Sequence, residues 1–164
     1  MAELQPICFR LLRDTARLPH RATPASGAFD VFVPEAGSIE PGERKLIGLG
    51  IAHEIPEQLD INLIEAEDEA ITLPMVFQGL IIARSGLAAK YGVKPYFDPC
   101  LIDHDYRGEI KLLLYNGGER TFNWEQGERL CQIAYVPFYM GGIREASNLN
   151  ETERGHGGFG STGR

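Results

Sequence analysis

Apolar residues in this chain come in short, strand-forming runs, and nearly every run is closed by glycine, proline or aspartate. Residues 31–33, 46–55, 61–64, 70–77, 80–83, 101–102, 110–115 and 130–138 are rich in Ile, Val, Leu and aromatics, and most are too short for a helix. Only residues 85–91 read as one, because Ser85 is a capping residue followed by good helix formers. Many evenly spaced short strands must close on themselves or pack sheet on sheet. The chain is therefore expected to be all-β, a barrel or jelly-roll-like sandwich with one short helix. Its 164 residues suffice for one real core and fall short of two.

Within that frame the polar residues are unevenly placed. The run Leu-Ile-Asp-His-Asp-Tyr-Arg-Gly at 101–108 sits between two apolar segments and is expected to turn between them, with Gly108 closing the turn. A carboxylate emerging directly from a buried strand is held on one side and open on the other, as a positioned general base needs to be. Asp103 is the best placed for that role, and a solvated hairpin tip is the plain alternative. At 81–86, Ile-Ile-Ala-Arg-Ser-Gly ends a strand where the helix begins. Free helical N–H groups and the Arg84 guanidinium there would stabilise an anion such as phosphate.

Ser-Gly-Ala-Phe-Asp-Val at 26–31 marks Asp30 at the start of a strand, where satisfying turn amides is its ordinary task. Residues 39–43 read as a tight turn. Residues 59–77 hold an acidic interval that reads as a hairpin with a charged tip, more a guarded edge than a metal site. The end of the chain, Arg154 to Arg164, is dense in glycine and carries the lone aromatic Phe159 beside Ser161 and Thr162. Such a segment either stays disordered or orders on a ligand, its ring stacking on a base while hydroxyls, amides and guanidinium take phosphates.

Charge and cysteine content narrow the partners. A formal charge of -7 argues against a general nucleic-acid surface, and no apolar run is long enough for a membrane helix. Three cysteines with no close pair suggest neither a disulfide framework nor a metal knuckle. Together with a start lacking an export-signal pattern, they point to the cytoplasm of a cell or of a viral host.

Taken in order, these segments resemble the five motifs of the trimeric, all-β dUTP pyrophosphatases, the dUTPases. Residues 26–31 are similar to the first motif, 84–88 to the second, 101–108 to the third and Gly-Glu-Arg-Leu-Cys-Gln at 127–132 to the fourth. The glycine-rich arm, with Arg154 and Phe-Gly-Ser-Thr-Gly at 159–163, is similar to the fifth and is the most specific. The resemblance implies a distorted jelly-roll β-barrel over residues 1–140, with 59–77 an acidic insert, and a flexible arm over 141–164. It also implies a homotrimer whose active sites form between subunits.

The implied reaction is hydrolysis of dUTP to dUMP and pyrophosphate, limiting uracil in DNA and supplying dUMP for dTMP synthesis. Asp103 matches the aspartate that deprotonates water for attack on the α-phosphorus, and Tyr106 the aromatic beneath the deoxyribose that excludes a 2′-hydroxyl. Arg84, Ser85, Gly86 and Gln132 match phosphate contacts; Arg154, Gly160, Ser161 and Thr162 match the arm's grip, and Phe159 its lid over uracil. Backbone groups flanking Cys100 match the uracil-reading hairpin, although Cys100 stands where glycine is usual and Ala83 where proline is. The expected cofactor is Mg2+, carried on the triphosphate, with Asp30 reaching it only through water. Two alternatives share the fold: a dCTP deaminase, whose characteristic histidine and glutamate segments are not found here, and a nucleotide-gated regulatory protein, for which the acidic insert and a protein partner would speak.

Overall fold

The computed structural model describes residues 6–56, 59–66 and 69–157, with residues 59–75 described by backbone pairing. In chain order these residues form β1 (Cys8–Leu11), β2 (Phe29–Phe32), β3 (Gly37–Ile39), β4 (Arg44–Gly48), β5 (Ile51–Glu54), β6 (Leu59–Ala66), β7 (Glu69–Ala83), α1 (Ser85–Tyr91), β8 (Val93–Pro95), β9 (Cys100–Ile102), β10 (Lys111–Asn116), β11 (Phe122–Trp124) and β12 (Arg129–Phe138). The largest sheet runs β2-β12-β7-β6 with β9 also on β7; the others are β4-β10-β8, β1-β5 and β3-β11. All-β architecture with one short helix is as expected, and the sheets wrap a single core in jelly-roll fashion. No helix among the described residues is long and apolar enough to cross a membrane.

The core is built from one face of several sheets. In β10 the alternation places Leu112, Leu114 and Asn116 inward and Lys111 outward, as a half-buried strand requires. These meet Val31, Ile39, Ile51, Ile81, Trp124 and Ile133 from six other strands. Each fully buried aliphatic side chain contributes roughly 1.5–3 kcal/mol relative to exposure. Asn116 is tolerated at the centre because its amide donates to the Ile39 and Arg120 carbonyls and its oxygen accepts the Gly118 N–H.

Several boundaries differ from the sequence expectation. Residues 46–55 form two strands in two sheets, because Gly50 takes φ +68 between them, a conformation that side chains on L-residues resist. Residues 70–77 and 80–83 belong to one continuous strand, β7, in which Gly79 is an ordinary ladder residue opposite Tyr135. The four unanticipated strands, β1, β3, β8 and β11, have only three or four residues each and little periodicity to read. Residues 101–108 do turn, but not as a hairpin tip: β9 pairs with β7 while β10 pairs with β4 and β8, so the loop crosses between sheets. The tight turn at 40–43 is present, with the Glu43 N–H donating to the Glu40 carbonyl at 3.0 Å. Strands β6 and β7 pair as an antiparallel hairpin whose residues 67–68 lie outside the described residues.

A histidine is among the buried residues. His53 is 3 % exposed, sits opposite Phe9 in the β1-β5 ladder and has Nδ1 2.9 Å from the Tyr135 hydroxyl, while its Nε2 has no partner among the described residues. Burial, aided by nearby Arg107 and His104, lowers its pKa from 6.5 to about 4. Burial also raises the Tyr135 pKa, so both members of the pair are neutral at pH 7. Between pH 6.5 and about 4 the unfolded chain binds a proton that the folded chain refuses. Stability should therefore fall as pH drops through that window, by roughly 3 kcal/mol across it. His53→Leu should lose less stability on acidification, read as the difference between urea midpoints at pH 7 and pH 4.5. Equal acid losses in the two proteins would show that other groups set the acid limb.

Candidate active site

The sheet order β2-β12-β7 brings three conspicuous polar residues together at one end of the molecule. Asp30 lies on β2, Gln132 is its cross-strand partner on β12, and Arg84 follows the last residue of β7. Asp30 is 3 % exposed, and both its oxygens are taken. Oδ1 faces Arg84 Nε at 3.3 Å and accepts from Gln132 Nε2 at 3.2 Å, while Oδ2 accepts from Arg129 Nη1 at 2.9 Å. Arg84 also donates to the Arg129 carbonyl at 2.6 Å. The carboxylate is thus a buried hub that aims two guanidiniums and an amide, leaving one net positive charge on the cluster.

Arg129 was not anticipated as a site residue. It lies three positions before Gln132, and in a regular strand that spacing puts two side chains on opposite faces. A register shift between Arg129 and Cys131 changes the parity, so that both reach Asp30. Cys131, between them, faces the core, where burial pushes its thiol up to about 12 and leaves it inert. All three cysteines are free, and burial raises the thiol of Cys100 as well.

The helix begins at this cluster. Arg84 occupies the cap position in extended conformation, and its carbonyl takes the N–H groups of Leu87 and Ala88. The amides of exposed Ser85 and Gly86 precede that first intrahelical bond, so their partners must come from outside the helix. A cavity of about 380 Å³ opens alongside, lined by Arg84, Leu87, Tyr91, Phe122 and Arg129 among others. Cationic, amide-bearing and part aromatic, it suits a phosphorylated ligand.

Because Asp30 cannot lose its charge partners without leaving guanidiniums unpaired, Asp30→Ala should destabilise the fold. The expected cost is ~3 kcal/mol, at the low end for breaking a buried ion pair because Arg84 and Arg129 retain 27 % and 44 % side-chain exposure. Chemical denaturation at pH 7 measures it, and a change under about 0.5 kcal/mol, the range of an ordinary surface substitution, would mean that the cluster is not a structural hub.

Asp103 is elsewhere. The ladder pairs Gly79 with Ile102, which sets Asp103 beside Gln78, six residues from Arg84 along β7. At ~3.3 Å per residue the two lie about 20 Å apart. The Asp103 carboxylate is exposed and has no side-chain partner among the described residues. Its loop is nonetheless ordered: the Tyr106 N–H donates to the Asp103 carbonyl at 3.1 Å, and the Tyr106 hydroxyl donates to the Glu109 carbonyl at 2.9 Å. The Tyr106 ring lies so close over Gly108 that a Cβ there would sit 2.5 Å from its hydroxyl, which is why the turn is closed by glycine. Cys100 is on β9, whose one hydrogen-bonding edge meets β7 while the other has no strand partner among the described residues. Arg154 forms a local turn, donating from Nε to the Gly157 carbonyl, and touches neither group. Phe159, Gly160, Ser161 and Thr162 lie outside the described residues.

No three His, Cys, Asp or Glu side chains among the described residues converge on a common point that could hold a metal ion. Both oxygens of Asp30 are already engaged by Arg84, Gln132 and Arg129.

The dUTPase family model matches residues 62–163, and with them all but the first of the segments described above. The chain belongs to the dUTPase family. Its sequence is 40% identical over 153 residues to the deoxyuridine 5'-triphosphate nucleotidohydrolase of Hydrogenobaculum sp. (strain Y04AAS1), covering 93% of this chain and 94% of that protein. The corresponding Clostridium tetani protein is 37% identical over 155 residues, covering 94% of each. Among solved structures, a Staphylococcus bacteriophage 80alpha dUTPase mutant with dUpNHpp superposes with a TM-score of 0.81 at 23% identity, over 98% of this chain and all of that one. A phage phi11 dUTPase mutant, described with a structural Mg(II) ion, gives 0.72 at 20% identity over 88% of this chain and 99% of that one. This dUTPase is a dUTP diphosphatase: the reaction of the family is hydrolysis of dUTP.

Proposed function

We propose that the chain hydrolyses dUTP to dUMP and pyrophosphate, limiting uracil in DNA and supplying dUMP for dTMP synthesis. The observation that carries the substrate half of this reading is the Asp30 hub, which presents two guanidiniums and the Gln132 amide beside the free Ser85 and Gly86 amides. Such donors, fixed before the substrate arrives, stabilise the charge that develops on phosphate oxygens without reorganising. Asp103 takes a proton from water as the water oxygen attacks the α-phosphorus and pyrophosphate leaves. Magnesium carried on the triphosphate would offset negative charge and orient the phosphates, and Asp30 would reach it only through water.

The distance of about 20 Å between Asp103 and Arg84 favours an assembly in which one copy supplies the base and another the phosphate cluster. We read it as a homotrimer with three such sites, each covered by a C-terminal arm through Arg154, Phe159, Gly160, Ser161 and Thr162. The free edge of β9 beside Cys100 can read uracil through backbone donor and acceptor groups, and the pinned Tyr106 ring fills the space beneath the sugar.

Pyrophosphate release from dUTP, dCTP, dTTP and UTP at fixed magnesium tests this directly. Only dUTP should turn over efficiently, and Tyr106→Ala should erode the preference over UTP by roughly 10–100-fold. Comparable wild-type rates for dCTP would overturn the uracil readout, and an unchanged sugar preference in the variant would move that filter away from Tyr106.

A further inference from the structure

Beyond the base itself, the structure shows how its loop is anchored, and the anchor is the next residue. The β7-β9 ladder stops at Gly79 and Ile102, so the backbone after Ile102 has no strand to hold it. His104 takes over with its side chain: Nδ1 lies 2.9 Å from the Phe77 carbonyl on β7. A carbonyl only accepts, so Nδ1 carries the proton and the tautomer is settled by this contact. Both peptide groups flanking His104 are fixed as well. The carbonyl before it, that of Asp103, accepts from the Tyr106 N–H, and its own carbonyl accepts from Arg107 Nη1 at 2.7 Å. His104 is therefore tied at its ring and on both sides of its backbone, and the Asp103 Cα lies between this anchor and the end of β9.

We propose that His104 is a positioning residue for the hydrolytic reaction, holding the Asp103 carboxylate in place through the Nδ1–H to Phe77 carbonyl bond. This rests on the reading of Asp103 as the base. Without the bond the loop keeps its fold through Tyr106 and Arg107 but can swing about the end of β9. A general base displaced by about 1 Å loses up to roughly 10²-fold in rate. Substrate contacts made by the Arg84 cluster, the β9 edge and the arm are untouched and only Tyr106 moves with the loop, its hydroxyl still tied to the Glu109 carbonyl, so the defect falls mainly on kcat.

The experiment compares His104→Ala, His104→Asn and Asp103→Asn in steady-state dUTP hydrolysis, with thermal midpoints as the control for folding. Asparagine can place its amide Nδ2 where Nδ1 of the imidazole stood and donate to the same carbonyl. His104→Ala should lower kcat by about 10–100-fold with KM changed less than about threefold, and His104→Asn should restore most of the loss. The proposal is overturned if His104→Ala retains wild-type kcat, if the loss lies in KM, or if His104→Asn is as impaired as alanine. The last result would give the imidazole a role other than donating this bond. Substantial turnover by Asp103→Asn would remove the base assignment itself, whatever the His104 variants do.

Discussion

Asp103→Asn is expected to lower kcat by about 10²–10⁴-fold while leaving magnesium-dependent nucleotide binding largely intact. The amide keeps the shape of the carboxylate but has no lone pair basic enough to take a proton from water. Neither oxygen of Asp103 contacts another side chain among the described residues, so the substitution breaks no ion pair and should leave the thermal midpoint within about 1 °C, less than the roughly 2–4 °C that 1 kcal/mol would shift a chain of this size. The proposed phosphate contacts lie about 20 Å away on the same chain, and the neighbouring β9 edge and Tyr106 ring are unchanged by the substitution, so binding and turnover should separate. Single-turnover kinetics with dUTP, alongside calorimetric binding of a non-hydrolysable analogue, measures both. A variant that kept a tenth or more of wild-type kcat would require a different base.

Truncation after Thr152 should be comparably severe for kcat/KM, at about 10³-fold or more, yet nearly silent for the fold. The described residues beyond that point make only local turns, and the exposed Arg154 bonds its neighbour Gly157. Nothing in the core depends on them. What leaves with the arm is a guanidinium, two hydroxyls, glycine amides and the Phe159 ring, and losing them together removes both the grip on the triphosphate and the exclusion of water. The truncated chain should retain its denaturation midpoint and its assembly state by sedimentation. In the full chain, limited proteolysis within 141–164 should be fast without nucleotide and slowed by a non-hydrolysable dUTP analogue with magnesium. Near-normal efficiency after truncation, or equal cleavage with and without nucleotide, would make the arm an appendage.

How much of this was legible in the sequence depends on the range of the signal. The helix at 85–91 was legible in its bounds because its helix formers are local, but its cap is Arg84, with no side-chain bond, and Ser85 is the first helical residue instead of the expected cap. The long strands were legible for the same reason, whereas β3, β8 and β11 are recruited by their partners and carry no pattern of their own. The split at Gly50 was hidden in a run that is apolar on both sides of it. At the site, Asp30, Arg84 and Gln132 were marked singly, but their convergence depends on the order of β2, β12 and β7 in the sheet, which no local pattern encodes. Arg129 escaped because a bulge reverses strand parity, and bulges leave little trace in sequence. His104 looked like one polar residue among several until its ring was seen to continue a ladder that its backbone had left.

The unbroken run of β7 also acts as a ruler. Phe77 and Gly79, past the middle of the strand, fix the loop of Asp103, and Ala83 at its end delivers Arg84 to the Asp30 cluster, so one stretch of extended backbone sets the spacing between the two. Inserting or deleting a single residue between 79 and 83 would change that spacing by about 3.3 Å and turn the following side chains to the opposite face, putting Asp103 and the Arg84 cluster out of register at once. Residues before 76 lie outboard of the ruler. The β6-β7 hairpin can therefore lengthen, shorten or acquire new charge without altering the geometry of catalysis, a place in the molecule where sequence is free to drift.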